Sequence, residues 1–489
     1  MIAGAGMPRL TRRSFLAASA AALAGCRRSA PTAGYDCDVC IVGSGFAGMF
    51  LAQRLVEQGI RVIVLEAGPR LAASEPADGL ASLFPATTAG TLDFPIDGTR
   101  SIAVGGTSRK WNGVVTRLLP SDFRQRTERG LEVDWPLSYD DLAGYYCQAE
   151  REMQVTGAPW VEGAEPPRCA YPTEVAGYTS PASLLRRTDL PFFPLAFALE
   201  RNAPLRLDGT PLRRLLASPQ ATLLDRHAVT RVELDRSGTV VALEVRRADD
   251  SQRRIRARYT VVAAGVVETV RLLLHSRQAS GVPLGGSMLG AGFNGHPRYR
   301  VQVKARPDLP RPDRVHRSYL GNPGAFRGTG AYLADFQFAA GPPLVDLTLE
   351  LEASSGNVLT LDATRRDSWG RPVIALQADW TPRDLQTRAA ALDAQRAFAA
   401  ALGTPTATPA LRWFHPAGSC RMAADAGSGV VNSDLRVFST QNLFVAGASV
   451  FPTAGATNPT LTIVALSLRL GDHLARLLGA TPGANRETR

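Results

Sequence analysis

The first clear pattern along the chain is an apolar run, then a glycine-rich turn, then an amphipathic helix. Residues 35–42 are typical of a buried strand, and the helical pattern that follows runs to Gln58, where Gly59 ends it. A second apolar run ends at Glu66. This order of strand, turn, helix and strand predicts a parallel sheet covered by helices.

Later segments repeat the same combination. Residues 221–247 are rich in strand formers with a turn signal at 236–238, and the apolar run 259–265 leads into a helical pattern over 266–275. Near the C-terminus, a short apolar run at 442–448 precedes an amphipathic helix that starts at Pro459 and continues through 478. These segments predict an α/β fold with a Rossmann-like sheet.

A different pattern predicts antiparallel strands elsewhere in the chain. Residues 347–352 alternate between apolar and polar side chains, which is typical of a sheet with one buried face and one face in water. The alanine-rich stretch 383–402 predicts a helix packed on that sheet.

The glycine turn indicates a nucleotide site. Its sequence, GSGFAG over 43–48, follows the strand directly and opens the helix. Glycines there permit a tight turn and let backbone N–H groups approach a pyrophosphate at a helix N-terminus. Glu66, at the end of the next strand, is placed to bind ribose hydroxyls. The motif predicts dinucleotide binding, but it does not separate FAD from NAD.

Composition and charge limit the function classes. The chain has 489 residues, of which 45% are hydrophobic and 20% charged, as in soluble globular proteins. The net charge is +11, but the basic residues are scattered singly and in pairs and form no cluster interleaved with aromatic residues. We therefore expect no nucleic-acid partner, and an anionic membrane surface suits the charge better.

The N-terminus is typical of an export signal. Residues 8–26 read PRLTRRSFLAASAAALAGC, a basic start followed by a small-residue apolar run too short to span a bilayer. The TRRSFL segment resembles a twin-arginine signal, and LAGC resembles a lipoprotein lipobox ending at Cys26. We expect a signal peptide at 1–25, lipidation of Cys26 and a tether over 26–35, with an ordinary signal as the alternative.

The cysteines and histidines suggest no metal site. Cys37 and Cys40 fall in the first strand, where an odd separation directs them to opposite faces, so we expect no bridge between them. Cys147, Cys169 and Cys420 are expected to be packing residues. The six histidines show no zinc-ligand spacing, and there is no haem attachment motif.

Four separated motifs together resemble those of the glucose–methanol–choline (GMC) family of flavoenzymes over residues 36–478. They are the glycine turn with Glu66, the segment VGGTS at 104–108 followed by WNG at 111–113, the segment HPAGSCRM at 415–422, and the final stretch 442–451 with Asn458-Pro459. Within the family, residues 100–123 and 133–157 resemble the pyranose oxidase and gluconate or fructose dehydrogenase branch more than the choline or glucose oxidase branch.

The resemblance implies FAD as the cofactor and a division into two domains. The FAD-binding domain is expected in three parts (36–130, 205–295 and 409–480), and an antiparallel-sheet substrate domain in two (131–204 and 296–408). No histidine or cysteine lies between the GGTS segment and Trp111, so we expect FAD to be noncovalent. The residues expected to bind it are Gly43, Gly45, Phe46, Gly48, Glu66, Gly105, Gly106, Thr107, Trp111, Asn112, Gly113, Val229, Ala263, Ala264, Gly265, Ala448, Asn458, Pro459 and Thr460.

The resemblance also implies the chemistry. Oxidation of an alcohol requires a base that takes the hydroxyl proton as hydride leaves the same carbon for the flavin. His415 is expected to be that base, and Asn458 to orient the substrate oxygen, although a turn histidine and a helix N-cap are the alternatives. His296 is expected to be structural, in a turn at the domain boundary, with a role near the substrate as the alternative. The remaining four histidines are expected to lie at the surface or in packing.

The sequence therefore predicts an exported FAD-dependent oxidoreductase that acts on a sugar, polyol or other alcohol. We expect a membrane-anchored periplasmic protein that passes electrons to a quinone, a cytochrome or a partner subunit. An oxygen-using oxidase is the alternative within the family. A redox-silent protein that binds a carbohydrate or a partner is the alternative outside it, disfavoured because His415 and Asn458 are both present.

Overall fold

The computed structural model describes residues 34–480 except 73–74, 76–83, 132, 162–165, 175–178, 186–189, 191, 248, 310–314, 320–329 and 339–340. The expected signal peptide, Cys26 and most of the tether lie outside the described residues. Within these residues no helix is long and apolar enough to cross a membrane.

The strands are short and spread along the whole chain. In order they are β1 (Cys37–Val42), β2 (Val62–Leu65), β3 (Ala86–Ala89), β4 (Val114–Val115), β5 (Val155–Gly157), β6 (Thr173–Glu174), β7 (Phe193–Pro194), β8 (Ala196–Glu200), β9 (Ala203–Pro204), β10 (Ala221–Leu224), β11 (His227–Leu234), β12 (Val240–Arg247), β13 (Gln252–Ile255), β14 (Ala257–Val262), β15 (Asn294–Ala305), β16 (Val315–Tyr319), β17 (Tyr332–Gln337), β18 (Leu344–Leu349), β19 (Val358–Arg366), β20 (Pro372–Gln377), β21 (Gly403–Pro405), β22 (Ala410–Ala417) and β23 (Leu443–Val445).

The helices are α1 (Phe46–Glu57), α2 (Gln125–Arg129), α3 (Tyr139–Glu152), α4 (Thr210–Leu216), α5 (Gly265–Ser280), α6 (Pro382–Leu402) and α7 (Thr460–Leu477). Short 3₁₀ turns occupy Ile96–Thr99, Gly106–Arg109, Pro120–Phe123, Gly286–Met288 and Ala448–Val450.

A five-stranded parallel sheet carries the nucleotide motif. Its order is β10-β2-β1-β14-β23. Helix α1 follows β1 in the chain, α5 follows β14, and α7 comes after β23. Strands β2 and β23 are apolar and buried throughout, as expected where helices cover both faces of such a sheet. The predicted Rossmann-like fold is confirmed, and α1 ends within one residue of the predicted position.

The geometry of β1 differs from the expectation for Cys37 and Cys40. The backbone N–H groups of Asp38 and Val39 both donate to the Arg61 carbonyl, at 3.0 and 3.2 Å. A hydrogen bond with Cys37, together with burial, raises the pKa of Cys40. Both cysteines are free, as predicted, but the opposite-face argument is wrong.

A larger antiparallel sheet forms the second layer. Its order is β21-β15-β18-β17-β16-β7, and β22 also pairs with β15. Apolar side chains on one face of this sheet, such as Val301 and Leu347, pack on α6 through Phe398. The other face was predicted to lie in water, and this is wrong, because its side chains Asp346 and Thr348 are buried. It faces a cavity between this sheet and the parallel sheet.

Two features of the chain depart from the sequence expectations. Strands β19 and β20, within the expected substrate-domain insertion, form a three-stranded sheet with β3, in which β20 pairs with β3. Leu359 and Ile374 of these strands belong to the apolar core of the parallel sheet. Cys147 and Cys169 are not simple packing residues, because they form a disulfide that ties α3 to the segment before β6. The sequence offered no register from which to predict that pairing.

Candidate active site

The glycine turn is held in place by a buried carboxylate. Ser44 donates to Glu66 through both its backbone N–H, at 3.1 Å, and its hydroxyl, at 2.7 Å, and the N–H of Gly68 donates to the other carboxylate oxygen at 2.9 Å. Burial raises the pKa of Glu66, while these hydrogen bonds act against that rise. Glu66 therefore organises the turn as well as lining the cavity beside it.

Three helix N-termini open onto the same cavity. Helices α1, α5 and α7 begin after Gly45, Ala264 and Pro459, and none of these residues makes a side-chain capping hydrogen bond. Uncapped N-terminal N–H groups and the helix dipole both favour a negatively charged ligand. Asn458 is thus not the N-cap that we considered as an alternative.

One continuous cavity of about 720 Å³ joins these helix ends to the antiparallel sheet. Sixteen of the nineteen residues expected to bind the cofactor line it, namely Gly43, Gly45, Phe46, Glu66, Gly106, Thr107, Trp111, Asn112, Val229, Ala263, Ala264, Gly265, Ala448, Asn458, Pro459 and Thr460. A Cβ on Gly45 or Gly265 would meet no protein atom within 4 Å, so both glycines border open space.

The other three expected residues, Gly48, Gly105 and Gly113, are not in the cavity lining. A Cβ on Gly48 would lie 2.0 Å from the Gly43 carbonyl oxygen, so this glycine permits close packing of the helix on the turn. Gly105 and Gly113 have positive φ angles of 90° and 81°, which favour glycine. All three shape the backbone around the site.

His415 projects from a bulge at the end of β22. The residues His415 and Pro416 together stand opposite the single residue Gly295 of β15, and His415 has a φ of 55°. Such positive φ angles in non-glycine residues are costly and are concentrated at functional sites. The bulge turns the imidazole out of the ladder and into the cavity wall.

A second histidine fixes the tautomer of the first. His296 Nε2 lies 2.8 Å from the Gly455 carbonyl oxygen, which can only accept, so this nitrogen donates and Nδ1 of the neutral ring accepts. His415 Nδ1 lies 3.0 Å from His296 Nδ1 and must therefore be the donor. His415 Nε2 is left with a lone pair. The expectation that His296 occupies a structural turn is wrong, because it lies in β15 against His415.

Asn458 faces that lone pair. Its side-chain oxygen accepts a hydrogen bond of 3.0 Å from Arg317, which orients its amide nitrogen toward His415 Nε2 at 3.4 Å. Arg317 is itself held by Asp335 through two hydrogen bonds of 2.7 and 2.8 Å. His415 and Asn458, 43 residues apart in the chain, therefore meet at one point of the cavity, as predicted.

Both histidines of the pair are neutral at ordinary pH. Burial, with His296 and the cations Arg298 and Arg317 nearby, lowers the pKa of His415 well below 6.5. Burial also lowers the pKa of His296 to about 4. The uncharged imidazole of His415 is the form that can accept a proton.

Sequence reasoning missed several residues of the cavity. His227 and His275, expected at the surface or in packing, line its nucleotide end, and burial lowers the pKa of His275 to about 4. Arg298, Asp335 and Asp346 line the opposite wall. The alternation of charged and apolar side chains along these strands indicates that the charged residues share one face. Only the strand register shows which of them are in contact. The described residues hold no group of three His, Cys, Asp or Glu arranged to bind a metal.

Comparison with known proteins agrees with this arrangement. Residues 353–467 match the family model described as GMC oxidoreductase, and residues 41–90 match an NAD(P)-binding Rossmann-like domain. The chain is 29% identical to 6'''-hydroxyparomomycin C oxidase of Streptomyces lividus, over 92% of this chain and 93% of that protein. It is 26% identical to the fructose dehydrogenase large subunit of Gluconobacter japonicus, over 89% of this chain and 97% of that subunit.

A solved structure of pyridoxine 4-oxidase from Mesorbium loti has the same fold, with a TM-score of 0.64 and 19% identity over 90% of this chain and 99% of that one.

The FAD expected from the sequence agrees with this family, whose members are FAD-binding flavoproteins. The residues fit the cofactor, because uncapped helix ends and open glycines surround a cavity that reaches Glu66 at one end and His415 at the other. The C-terminal domain over residues 353–467 is therefore that of the GMC oxidoreductases, and the Rossmann-like segment and the relatives agree with this family.

Proposed function

We propose that the protein oxidises a hydroxyl group of a sugar, polyol or other alcohol, with His415 Nε2 as the base. The observation that carries this proposal is the hydrogen-bond chain from the Gly455 carbonyl through His296 to His415, which leaves an unprotonated nitrogen in the cavity. FAD, when bound, supplies the acceptor for the hydride that leaves the substrate carbon.

Each residue around His415 has a separate role in the proposed reaction. His415 Nε2 takes the hydroxyl proton, and His296 keeps the lone pair on that nitrogen by accepting from Nδ1. Asn458, oriented by Arg317, offers an N–H to the substrate oxygen. The antiparallel sheet forms the wall of the cavity opposite the parallel sheet.

We propose noncovalent attachment of FAD, because residues 105–113 contain no histidine or cysteine. The uncapped N-termini of α1 and α7 are suited to the pyrophosphate and to the flavin edge that becomes negative on reduction.

We also propose that the protein is exported by the twin-arginine route, anchored through Cys26 in the periplasm, and that it passes electrons to a quinone, a cytochrome or a partner subunit. The signal at 8–26 supports export. The Cys147–Cys169 disulfide supports an oxidising compartment. An anchored enzyme lies beside the respiratory chain, which favours a dehydrogenase over the oxygen-using alternative.

One experiment tests the oxidoreductase proposal. The purified holoprotein is mixed anaerobically with a panel of sugars, polyols and simple alcohols while the yellow flavin absorbance is followed, and oxygen or a quinone analogue is then admitted. Bleaching by a hydroxyl compound, reversed faster by the quinone, is the expected result. A flavin that no member of the panel bleaches would contradict the proposed function.

A further inference from the structure

The polar face of the antiparallel sheet carries a row of charges toward the cavity. Strand register places Arg300, Asp346, Asp335 and Arg317 side by side across β15, β18, β17 and β16. Arg300 binds Asp346 through two hydrogen bonds of 2.8 and 2.6 Å. Arg317 binds Asp335 in the same two-pronged way. Each carboxylate in this row is therefore already paired with one arginine.

Arg298 is a third arginine beside these two pairs. Its Nε donates to Thr348 at 3.1 Å, and its two terminal nitrogens lie 3.7 Å from Asp335 and 3.8 Å from Asp346. Those separations are longer than a hydrogen bond. Three arginines face two aspartates, so the group carries one surplus positive charge, and Arg298 is the arginine that makes no hydrogen bond to either carboxylate.

The surplus charge is poorly solvated. The Arg298 side chain is only 14% exposed, and it lines the cavity. Burial lowers the pKa of Arg298, the two aspartates act against that, and Arg317 and Arg300 add to the lowering. A buried cation without a full partner is costly, and a carboxylate that accepts from both terminal nitrogens would compensate it.

Arg298 also lies close to the reacting centre. Its guanidinium lies over the ring of Phe414, 5.1 Å from the ring centre, next to His415 in the chain. It shares one face of β15 with His296, two residues away. On β22 the exposed Arg412 stands directly opposite Arg298 and makes no ion pair with the described residues, which adds to the positive field at this edge.

We propose that Arg298 forms an anion-binding subsite and that the substrate is a hydroxyl compound bearing a carboxylate, such as a sugar acid. A neutral hydroxyl could accept one hydrogen bond from Arg298 but would leave its charge uncompensated. This inference rests on the proposed function, since it places the carboxylate in the same cavity as the hydroxyl that His415 deprotonates.

The test compares matched acids and amides. Binding of D-glucuronate and D-glucuronamide, and of D-gluconate and D-gluconamide, is measured by calorimetry on the anaerobic holoprotein, and flavin reduction is followed separately. We expect each acid to bind at least about 10-fold more tightly than its amide, as for a charge-assisted hydrogen-bonded pair. Equal binding of acid and amide by the wild type would overturn the proposal.

Variants separate Arg298 from the general positive charge of the protein. Arg298→Gln should weaken binding of the acids about 10- to 100-fold and leave the amides nearly unchanged, while Arg298→Lys should recover part of the loss. Arg253→Gln, at an exposed position of β13, removes the same charge and should change nothing. An equal loss for acids and amides in Arg298→Gln would also overturn the proposal.

The two readouts keep the inference distinct from the proposed function. If no compound reduces the flavin but the acids bind more tightly than the amides, the oxidoreductase proposal fails and the subsite stands. If neutral alcohols reduce the flavin and the acids show no advantage in binding, the subsite fails and the proposed function stands. Should Arg298→Gln not fold, the wild-type comparison and Arg298→Lys still decide the outcome.

Discussion

The protonation pattern of one imidazole depends on residues far away in the sequence. His415 receives its tautomer from His296, 119 residues earlier, and its polar neighbour Asn458 is oriented by Arg317. Each of these contacts has one geometrically consistent assignment of donor and acceptor. The result is a neutral base whose free nitrogen is specified before any substrate arrives.

His296→Phe tests this dependence. The variant removes the acceptor for His415 Nδ1–H, so the imidazole loses its fixed tautomer and orientation. We expect FAD content to be unchanged and the anaerobic rate of flavin reduction to fall by about 10²-fold, within the range of a positioned base. His296→Gln is the control, since its amide oxygen can still accept, and it should retain more activity. Wild-type reduction in His296→Phe would contradict the assignment.

The depressed pKa of His415 predicts a pH dependence with a definite sign. A base is active in its unprotonated form, and a pKa well below 6.5 keeps that form dominant. We therefore expect the rate of flavin reduction to stay constant as the pH falls through about 6.5, where an ordinary imidazole would titrate.

Asn458→Asp should make the rate of flavin reduction depend on pH in this range. The carboxylate would face His415 Nε2 in place of an N–H donor and would raise the pKa of His415. Flavin reduction should then be slower, and its rate should fall on the acid side near neutral pH. Stopped-flow reduction across a pH series measures this, and an unshifted profile in the variant would show that Asn458 does not face the base.

The sequence motifs predict which residues take part in the proposed reaction, but they do not predict how those residues contact one another. The segment HPAGSCRM identified His415, and the final proline-led helix identified Asn458. His296 was not assigned its role, because its contact with His415 requires a bulge in one strand against a glycine in the next. Such a register is a tertiary property that local sequence patterns do not contain.

At the scale of secondary-structure elements, the site is assembled from helix ends. Helices α1, α5 and α7 begin at the cavity without side-chain caps, and each follows a strand or turn of the parallel sheet. Their places in the chain were predicted, because glycine turns and apolar runs are local signals, although α5 continues to Ser280, beyond the predicted end at residue 275. The paired charges across β15, β18, β17 and β16 were not, because they depend on strand register.

Gly45→Leu tests the role of the first helix end. A side chain there would project into open cavity beside the N-terminus of α1 and would occupy space that the pyrophosphate needs. We expect folded protein that contains little or no flavin, measured by absorbance and circular dichroism. Gly144→Leu is the control, because that glycine is exposed on α3 with no protein atom near its Cβ position. Full flavin content in Gly45→Leu would contradict the proposed pyrophosphate site.

At the scale of the whole molecule, the two largest apolar cores of the described residues lie beside one cavity. One core belongs to the parallel sheet and its helices, and the other lies between the antiparallel sheet and α6. The strands of the two layers alternate along the chain. Strands β15 to β18 and β22 of the antiparallel sheet lie in sequence between β14 and β23 of the parallel sheet. The site can therefore form only when both layers have assembled.

Cys26→Ser tests the proposed anchor of the molecule. Without an acylated thiol, the mature protein should move from the membrane fraction to the soluble periplasmic fraction with its activity intact. Cell fractionation followed by mass spectrometry of the N-terminal peptide measures both points. Cys420→Ser is a matched control, since it changes a buried cysteine and should leave the protein in the membrane fraction. Wild-type protein with no acylated peptide would refute the anchor.

The most direct test of the account is anaerobic stopped-flow reduction of the flavin in His415→Ala, with the best substrate from the panel at saturation. Removal of the base should leave FAD bound and slow reduction by about 10²- to 10⁴-fold. His473→Ala, which changes a histidine outside the cavity lining, should reduce its flavin at the wild-type rate. Reduction of His415→Ala at the wild-type rate would contradict the central claim that His415 takes the hydroxyl proton.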